Sequence, residues 1–181
     1  ADEPRPGTRD ALNQLRTSGI RRIMMLTGDN RATAQRIADE LGVDELEADL
    51  LPEDKLTTVR RLQAEGYKVA MVGDGVNDAP ALAAADVGIA KGAAGTHAAL
   101  EAADVALMTD DMSRIAEARL ISALAYRTIK ENLIVGVGVV HVLGIAASLM
   151  GLIGPIEAAI IHLGPDTLVF LNSMKLLRMR V

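Results

Sequence analysis

The chain has 181 residues and a formal net charge of −5, and half of its residues are hydrophobic although it contains no Trp, one Phe and two Tyr. Its core must therefore be aliphatic, and its length allows one ordinary domain or a smaller domain followed by something else. The absence of Cys excludes disulfides and thiolate metal sites within this chain and is typical of a reducing compartment.

Charge is distributed unevenly. Residues 1–113 have 12 Lys and Arg against 20 Asp and Glu, whereas residues 114–181 have 7 against 4. The first part has the composition of an acidic soluble domain and gives no indication of nucleic-acid binding. The N-terminal end, ADEPRP, is too charged and proline-rich for a signal peptide, and no initiator Met is present. We therefore expect a fragment or a processed product.

Short helices and strands alternate through the first part. Helices are predicted over residues 7–18, 31–41, 77–85 and 96–103, with a further one starting at Pro52, and strands over 23–26, 69–72, 87–90 and 105–108. Asn30 is a predicted N-cap and Gly42 a predicted helix end. This alternation with short connections favours an α/β fold, a parallel Rossmann-like sheet covered by helices.

The second part is much more apolar. Residues 113–131 are predicted to form an amphipathic linking helix, and the next 21 uncharged residues, 133–153, are long enough to span a bilayer. A buried core helix is the alternative, but a sheet domain of this size rarely hides so long an apolar segment. Gly154 and Pro155 form a turn, and a second span is predicted over 156–176.

The basic residues of the second part lie at the two outer ends of the predicted hairpin and are absent from its tip. They are Arg127, Lys130, Lys175, Arg178 and Arg180. The positive-inside bias therefore places both ends in the cytoplasm. The predicted organisation is a cytoplasmic domain over 1–112, a linking helix over 113–131, and a two-helix transmembrane hairpin with a cytoplasmic tail over 132–181, in a multi-pass protein of the cell membrane.

Two motifs follow predicted strands. Residues 71–80, MVGDGVNDAP, place Asp74 and Asp78 after an apolar run, where carboxylates suit Mg²⁺ together with phosphate oxygens. Thr27-Gly28-Asp29 follows another strand. Because ligands bind at the carboxyl ends of parallel strands, both motifs should face one crevice. The alternative for the first motif is an Asp-Gly turn followed by a helix cap.

Lys55, at the start of a predicted helix, adds a fixed cation to these motifs. A hydroxyl with backbone amides, a cation and Mg²⁺ ligands make up a phosphoryl-transfer site, in which catalysis is mostly positioning and charge neutralisation. Taken singly, Thr27 and Asn30 could merely cap a helix, and Lys55 could be a solvated first-turn charge.

Three segments together resemble the C-terminal portion of P-type ATPases, whose phosphorylation domain belongs to the haloacid dehalogenase-like (HAD-like) superfamily. They are residues 25–30 (MLTGDN), 52–55 (PEDK) and 72–80 (VGDGVNDAP). The resemblance extends over essentially the whole chain, and the hairpin is similar to the last two membrane helices of the heavy-metal-transporting subgroup. It implies an ATP-driven cation pump that works through an aspartyl-phosphate, with Mg²⁺ and ATP as cofactors.

The resemblance also implies roles for individual residues. Thr27, with Gly28 and Asp29, would bind the aspartyl-phosphate, and Lys55 would neutralise its oxygens. Asp74 would bind Mg²⁺. The remaining two predicted site residues of this region, Asn77 and Asp78, would complete the phosphate and Mg²⁺ environment.

The nucleophile of the family is missing from this chain. It is the aspartate of an Asp-Lys-Thr-Gly-Thr motif, whereas residues 54–58, DKLTT, lack the glycine and follow no apolar strand. In the family the nucleophile, the nucleotide-binding domain and the other membrane helices all lie upstream. The isolated chain is therefore predicted to be inactive, and the rest of the pump is an expected partner.

The second predicted span contains candidate ligands for a transported cation. His162 and Asp166 are four residues apart, and ionisable groups inside a membrane span are functional candidates because their burial is costly. Gly164 and Pro165 between them are predicted to unwind the helix and free carbonyl groups. A His and a carboxylate without sulfur favour Zn²⁺, Co²⁺, Ni²⁺ or Fe²⁺ over Cu⁺.

Comparison with known subgroups leaves the metal open. In the subgroup linked to cobalt, the last helix contains His-Glu-Gly-Gly-Thr, with its His ten residues before an Asn. Here His162 lies ten residues before Asn172, but Leu163 replaces the Glu and Asp166 the Thr. The Tyr-Asn and Met-Ser-Ser motifs of copper pumps are absent.

Two other functions remain as alternatives. A soluble phosphatase of the same superfamily would share Thr27, Lys55 and Asp74, but it would not need residues 133–153. A truncated, non-catalytic partner protein would keep the fold and bind Mg²⁺ and phosphate without turnover.

Overall fold

The chain forms two units, Ala1–Ala116 and Glu117–Val181. The structure, a computed structural model, describes residues 3–73, 76–91 and 101–178, without the side chains of Val76, His162, Asp166 and Arg178. The predicted division after residues 112 and 131 stays a prediction.

The strands of the first unit are short and all pair in parallel. They are β1 (Met24–Leu26), β2 (Glu45–Glu47), β3 (Ala70–Gly73), β4 (Val87–Lys91) and β5 (Val105–Leu107). In one sheet β1 pairs with β2, and Met25 lies opposite Leu46. In the other sheet β4 lies between β3 and β5, and Val72 lies opposite Ile89. The predicted parallel pairing is confirmed. The prediction of a single sheet is wrong for the described residues, because no strand pairing joins β1 to β3.

Helices follow the strands as the sequence predicts. In the first unit they are α1 (Thr8–Thr17), α2 (Arg31–Leu41), α3 (Pro52–Ala64) and α4 (Ala79–Ala84). Local chemistry sets the ends of α2: Asn30 Oδ1 accepts a 3.0 Å hydrogen bond from the Thr33 N–H, and Gly42 adopts a left-handed φ of 67°. The buried side of this helix consists of Ala34, Ile37 and Ala38.

Helix α3 connects the two sheets of the first unit. The Thr58 hydroxyl donates a 2.7 Å hydrogen bond to Glu47 of β2, while the adjacent Val59 belongs to the core beneath β3. That core comprises Val59, Met71, Ala81 and Leu82, with Leu26 of β1 packed against it. Both sheets therefore share one aliphatic core, as the composition predicts.

Two elements of the first unit differ from the prediction, and a third is left untested. Strand β2 was not predicted, since its sequence, Glu-Leu-Glu, is short and acidic. The helix predicted over 77–85 begins with a 3₁₀ turn, Val76–Asp78, before α4. The helix predicted over 96–103 falls mostly outside the described residues.

The second unit is a helical hairpin. Helix α5 (Ser113–Glu131) leads without interruption into a π-helical segment, Asn132–Val139, and then α6 (Val140–Leu149). After a turn with Gly151 in the left-handed region, α7 (Pro155–Ser173) returns and ends in a 3₁₀ turn, Met174–Arg178. The continuous helix Ser113–Leu149 has 37 residues and is long and apolar enough to cross a membrane.

Close contacts and polar bonds join the two arms of the hairpin. A Cβ at Gly136 would lie 2.6 Å from Val169 Cγ2, so the π-helical segment approaches α7 closely. At its base, Asn132 donates to Ser173 at 2.9 Å and accepts from Asn172 at 2.7 Å. Close packing at small residues and hydrogen bonds between polar side chains are both typical of apolar helix pairs.

The predicted unwinding at Gly164 and Pro165 is wrong. Helix α7 is continuous through both positions, with Pro165 inside it. A proline removes one N–H and crowds the carbonyl of the residue four positions before it, and a long helix packed against a partner helix can absorb that local loss.

Candidate functional site

The loop after β1 is organised around Thr27. Its backbone N–H donates to Glu47 O at 3.0 Å, and its carbonyl accepts from the Leu50 N–H at 3.0 Å. Its hydroxyl donates to Asp29 Oδ2 at 3.1 Å and accepts from the Asp29 N–H at 3.1 Å. Thr27 is half-buried whereas Gly28 and Asp29 are exposed, so the loop presents its backbone to solvent at the end of the sheet.

The loop after β2 packs against this first loop. A Cβ at Gly28 would lie 3.2 Å from the Leu50 carbonyl oxygen, a contact tighter than most. Asp49 has a left-handed φ of 59°, a conformation that Asp tolerates better than most residues, and its N–H donates to Asp29 O at 2.9 Å. These bonds connect Thr27 to the start of α3. The sequence did not predict this second loop because it did not predict β2.

Helix α3 begins where the two loops meet and brings Lys55 to the site in its first turn. Asp54 accepts a 2.9 Å hydrogen bond from the Leu51 N–H, and its own N–H donates to Leu51 O at 3.0 Å. Its carboxylate therefore caps the helix. The capping bond fits the prediction that Asp54 is not the family's nucleophile, because a phosphorylated aspartate has to face the phosphoryl donor.

Lys55 and Asp78 form a buried ion pair. Lys55 Nζ donates to Asp78 Oδ1 at 2.7 Å, and the two side chains are 15% and 11% exposed. The pair joins the first turn of α3 to the end of the 3₁₀ turn that follows β3. Removing one partner would leave the other charge largely buried and unpaired, which destabilises the folded state.

Gly73, the last residue of β3, makes room for the Asp78 carboxylate. A Cβ at Gly73 would lie 2.7 Å from Asp78 Cβ and 2.8 Å from Asp78 Oδ2. The sequence singled out both Lys55 and Asp78, but as separate ligands of phosphate and Mg²⁺. A glycine five residues before the second acid was the available signal that its carboxylate folds back onto the strand.

The other predicted site residues are described only in part. Asp74 lies outside the described residues. Asn77 is exposed in the 3₁₀ turn after β3. His162 and Asp166 occupy positions one helical turn apart in α7, and their side chains lie outside the description. Within residues 3–73, 76–91 and 101–178, no group of three or more His, Cys, Asp or Glu side chains could hold a metal ion.

At the opposite ends of the strands, their amino ends, carboxylates accept hydrogen bonds from backbone N–H groups and from a lysine. The backbone N–H of Ile23 holds the pKa of Asp44 below its usual value of 3.8. The Lys68 ammonium, followed by the Val69 N–H, lowers the pKa of Asp86 well below the same value. The chemistry that suits an anionic ligand therefore lies at the carboxyl ends, where Lys55 and the Thr27 loop are found.

Comparisons with known proteins cover both units. A family model of haloacid dehalogenase-like hydrolases matches residues 1–86. The manganese-exporting P-type ATPase of Mycobacterium leprae (strain TN) is 49% identical over 180 residues, which are 99% of this chain and 25% of that protein. The zinc-exporting P-type ATPase of Mycobacterium marinum is 48% identical over 180 residues, again 99% of this chain and 24% of the relative.

The same relationship holds in three dimensions. The crystal structure of a zinc-transporting PIB-type ATPase in the E2.Pi state matches with a TM-score of 0.90 and 37% identity, covering 98% of this chain and 28% of the other. This chain thus spans about a quarter of the length of the relatives it matches. The matches include the HAD-like unit and the helical hairpin alike, so this chain is similar over nearly its whole length to part of the metal-transporting P-type ATPases.

Proposed function

We propose that this chain is part of an ATP-driven pump that moves a divalent transition-metal cation across a membrane through an aspartyl-phosphate intermediate. The main support is the presence on one chain of a buried Lys55–Asp78 pair at strand ends and a 37-residue helix apolar enough to cross a membrane. A soluble phosphatase would need the first feature and not the second. A non-catalytic partner protein would show the same two features without turnover.

In this proposal the first unit binds the phosphoryl group. The bond to Asp78 uses one of the three N–H donors of the Lys55 ammonium, so the same ammonium can also donate to phosphoryl oxygens. The Thr27 hydroxyl, which now donates to Asp29, would rotate to donate to a phosphoryl oxygen. Gly28 and Asp29 lie in an exposed loop. Because Gly28 has no side chain, a phosphoryl group can approach the backbone closely there.

The residues after β3 fit Mg²⁺ by their chemistry, since carboxylate and amide oxygens are donors that this ion accepts. Asp74 and the exposed Asn77 would hold it together with phosphoryl oxygens, and the sequence adds Asp78 as a predicted ligand. When bound, the ion would supply positive charge that neutralises the phosphoryl oxygens. ATP would be bound mainly by parts of the pump outside this chain.

The nucleophilic aspartate would also come from outside this chain. Two features of the first unit support this: Asp54 is engaged as a helix cap, and among the described residues β1 pairs only with β2 and β3 only with β4. Leu26 of β1 and Met71 of β3 nevertheless belong to one core. A parallel strand inserted between β1 and β3 would join the two sheets and end beside Thr27 and Lys55, which suits a nucleophile.

The second unit would be a transmembrane hairpin. Its outward side chains are large and apolar; Leu149, for example, is 84% exposed. Contiguous exposed apolar surface of this kind is typical of a membrane or protein interface. We assign one span to the apolar part of the helix that ends at Leu149 and the second to α7, with both outer ends in the cytoplasm because the basic residues flank them.

The transported ion would be divalent. His162 and Asp166 lie at neighbouring turns of α7, and a ligand set of imidazole and carboxylate favours borderline divalent metals over Cu⁺. Relatives of nearly equal identity are named for manganese and zinc, so Mn²⁺ joins Zn²⁺, Co²⁺, Ni²⁺ and Fe²⁺ as a candidate. The further ligands would come from helices outside this chain.

Phosphorylation by radiolabelled ATP tests the proposal in the complete pump. We expect a hydroxylamine-labile phosphoenzyme whose level depends on a divalent metal, and none from this 181-residue chain alone. Phosphoenzyme formation by the isolated chain would refute the placement of the nucleophile. His162→Ala and Asp166→Ala should each abolish metal stimulation of ATPase activity, and unchanged stimulation in both variants would refute the metal assignment.

A further inference from the structure

Asp78 is held from two sides at the point where β3 ends. Its Oδ1 accepts the 2.7 Å bond from Lys55 Nζ, and its Cβ and Oδ2 lie against the backbone of Gly73. The residue is 8% exposed. One oxygen thus accepts from a cation of the protein itself, and the other lies close to the space that a side chain at position 73 would fill.

We propose that Asp78 is a positioning residue, which directs the Lys55 ammonium toward the phosphoryl group and does not itself bind Mg²⁺. This inference rests on the proposed function, because it concerns how the phosphoryl site is built. The lysine side chain is a flexible four-carbon stem with a compact charge at its end. A rigid carboxylate beside that charge fixes its place before the phosphoryl group arrives.

Burial and charge argue against a direct Mg²⁺ ligand at this position. Mg²⁺ keeps several of its waters in protein sites, and a carboxylate that is 11% exposed leaves little space for a hydrated ion. A Mg²⁺ ion on the same carboxylate would also lie close to the Lys55 ammonium, and two cations at such short range repel each other strongly where water is excluded.

A double-mutant cycle distinguishes the two roles in the complete pump. If Asp78 acts through Lys55, Asp78→Asn and Lys55→Met should each weaken binding of orthovanadate, a phosphate analogue, by about 10- to 100-fold, as is typical for residues that orient a ligand-binding group. The double variant should be no worse than Lys55→Met alone. The Mg²⁺ concentration for half-maximal phosphorylation should change by less than about 2-fold in Asp78→Asn, the error expected for uncoupled sites.

Thermal unfolding of the ligand-free pump supplies a readout that needs no turnover. Each single variant leaves a buried charge unpaired and should lower the unfolding midpoint, whereas the double variant removes both charges and should recover part of the loss. Mg²⁺ alone should raise the midpoint of Asp78→Asn as much as that of the unmodified pump. Lys55→Arg, which keeps a cation beside Asp78, should retain more vanadate affinity than Lys55→Met.

Asp86→Asn provides the matched control. Asp86 pairs with Lys68 at 2.8 Å, but Lys68 is highly exposed and the pair lies at the amino ends of the strands. This variant should leave orthovanadate affinity and the Mg²⁺ requirement unchanged, so loss of an ion pair as such cannot explain the result.

Two results would overturn the inference: a rise of 10-fold or more in the Mg²⁺ requirement of Asp78→Asn, or effects of Asp78→Asn and Lys55→Met that multiply. A pump that forms no phosphoenzyme and binds no orthovanadate would instead refute the proposed function. In that case the ligand-free thermal cycle would still test the Lys55–Asp78 pairing.

Discussion

Gly88 occupies the middle strand of the three-stranded sheet, and its replacement by Ala should destabilise the first unit. It lies opposite Met71 of β3, its N–H donates to Asp104 Oδ2 at 2.8 Å, and its carbonyl accepts from the Asp104 N–H at 2.9 Å. A Cβ there would lie 2.6 Å from the carbonyl oxygen of Leu82 in α4. The clash is with backbone, so no rotamer change relieves it.

The size of the effect follows from these contacts. Unstrained carbon contacts begin at about 3.5 Å, so α4 or β4 would have to move by about 1 Å. Overpacking of this kind costs about 1–3 kcal/mol. Replacing glycine restricts the unfolded chain and returns about 0.4–1 kcal/mol. We expect a net loss of about 1–2 kcal/mol, which lowers the unfolding midpoint of a unit of this size by about 4 °C per kcal/mol.

Thermal unfolding of the whole chain in detergent, followed by circular dichroism, measures the midpoint. Hydrogen exchange of β3 and β4 locates the loss, which should be greatest beside Gly88. Gly88→Val should be worse than Gly88→Ala, and Leu82→Ala should not rescue either variant, because it keeps the carbonyl. Gly164→Ala is a matched control: nothing lies within 4 Å of a Cβ there, and α7 should tolerate it. An unchanged or higher midpoint for Gly88→Ala would refute this reasoning.

Three further predictions concern other contacts. Asn30→Ala removes the hydrogen bond to the Thr33 N–H and should lower the free energy of unfolding by about 1 kcal/mol, whereas Asn30→Asp should lower it less. Equal chemical-denaturation midpoints for Asn30→Ala and the unmodified chain would contradict this. Folding lowers the pKa values of Asp44 and Asp86, so the stability that these carboxylates contribute is complete above pH 3.8 and is lost as the pH falls toward their folded pKa values. Asp86→Asn should therefore make the free energy of unfolding fall less steeply with decreasing pH in this acidic range. Asn132→Ala removes the cross-helix bonds to Ser173 and Asn172 and a longer one to the Val169 carbonyl, and each of the two short bonds should cost about 0.6 kcal/mol. The loss of helicity in increasing denaturing detergent measures this, and an unchanged curve would show that Asn132 does not stabilise the hairpin.

Local chemistry made most of the helices predictable. The predicted ends of α2 agree with the structure because a cap and a glycine fix them, and the helix predicted from Ser113 also begins there. The strand ends at Thr27 and Gly73 were likewise visible, since an apolar run gives way to a glycine turn. The prediction that Lys55 and Asp78 are site residues came from a helix start and from one of these strand ends, and it stays a prediction.

Features that depend on distant residues were not predictable. Strand β2 has two glutamates in three residues, and its partners lie far away in sequence: Arg22 bonds Glu45, while Arg61 and Thr58 bond Glu47. The absence of pairing between β1 and β3 among the described residues is also a property of the fold. The same holds for the bond between Lys55 and Asp78, which are 23 residues apart.

In the hairpin, one prediction failed because a local rule about glycine and proline was applied too strongly. Gly164-Pro165 is a typical helix breaker in water, yet α7 continues through it. Conversely, no residue pattern indicated the π-helical segment Asn132–Val139. In an apolar helix pair, the approach of Gly136 to Val169 and the bonds of Asn132 impose constraints that local propensity does not contain.

Three acidic residues of the first unit share one structural arrangement. Asp44, Asp86 and Asp104 each immediately precede a strand. Each accepts a hydrogen bond from an N–H near the start of the neighbouring parallel strand, at Ile23, Val69 and Gly88 respectively. A carboxylate at such a position satisfies a donor that the parallel ladder leaves without a partner. These aspartates therefore hold the amino ends of the strands together. The carboxyl ends have no such arrangement among the described residues, and there the carboxylate of Asp78 is paired with Lys55 instead.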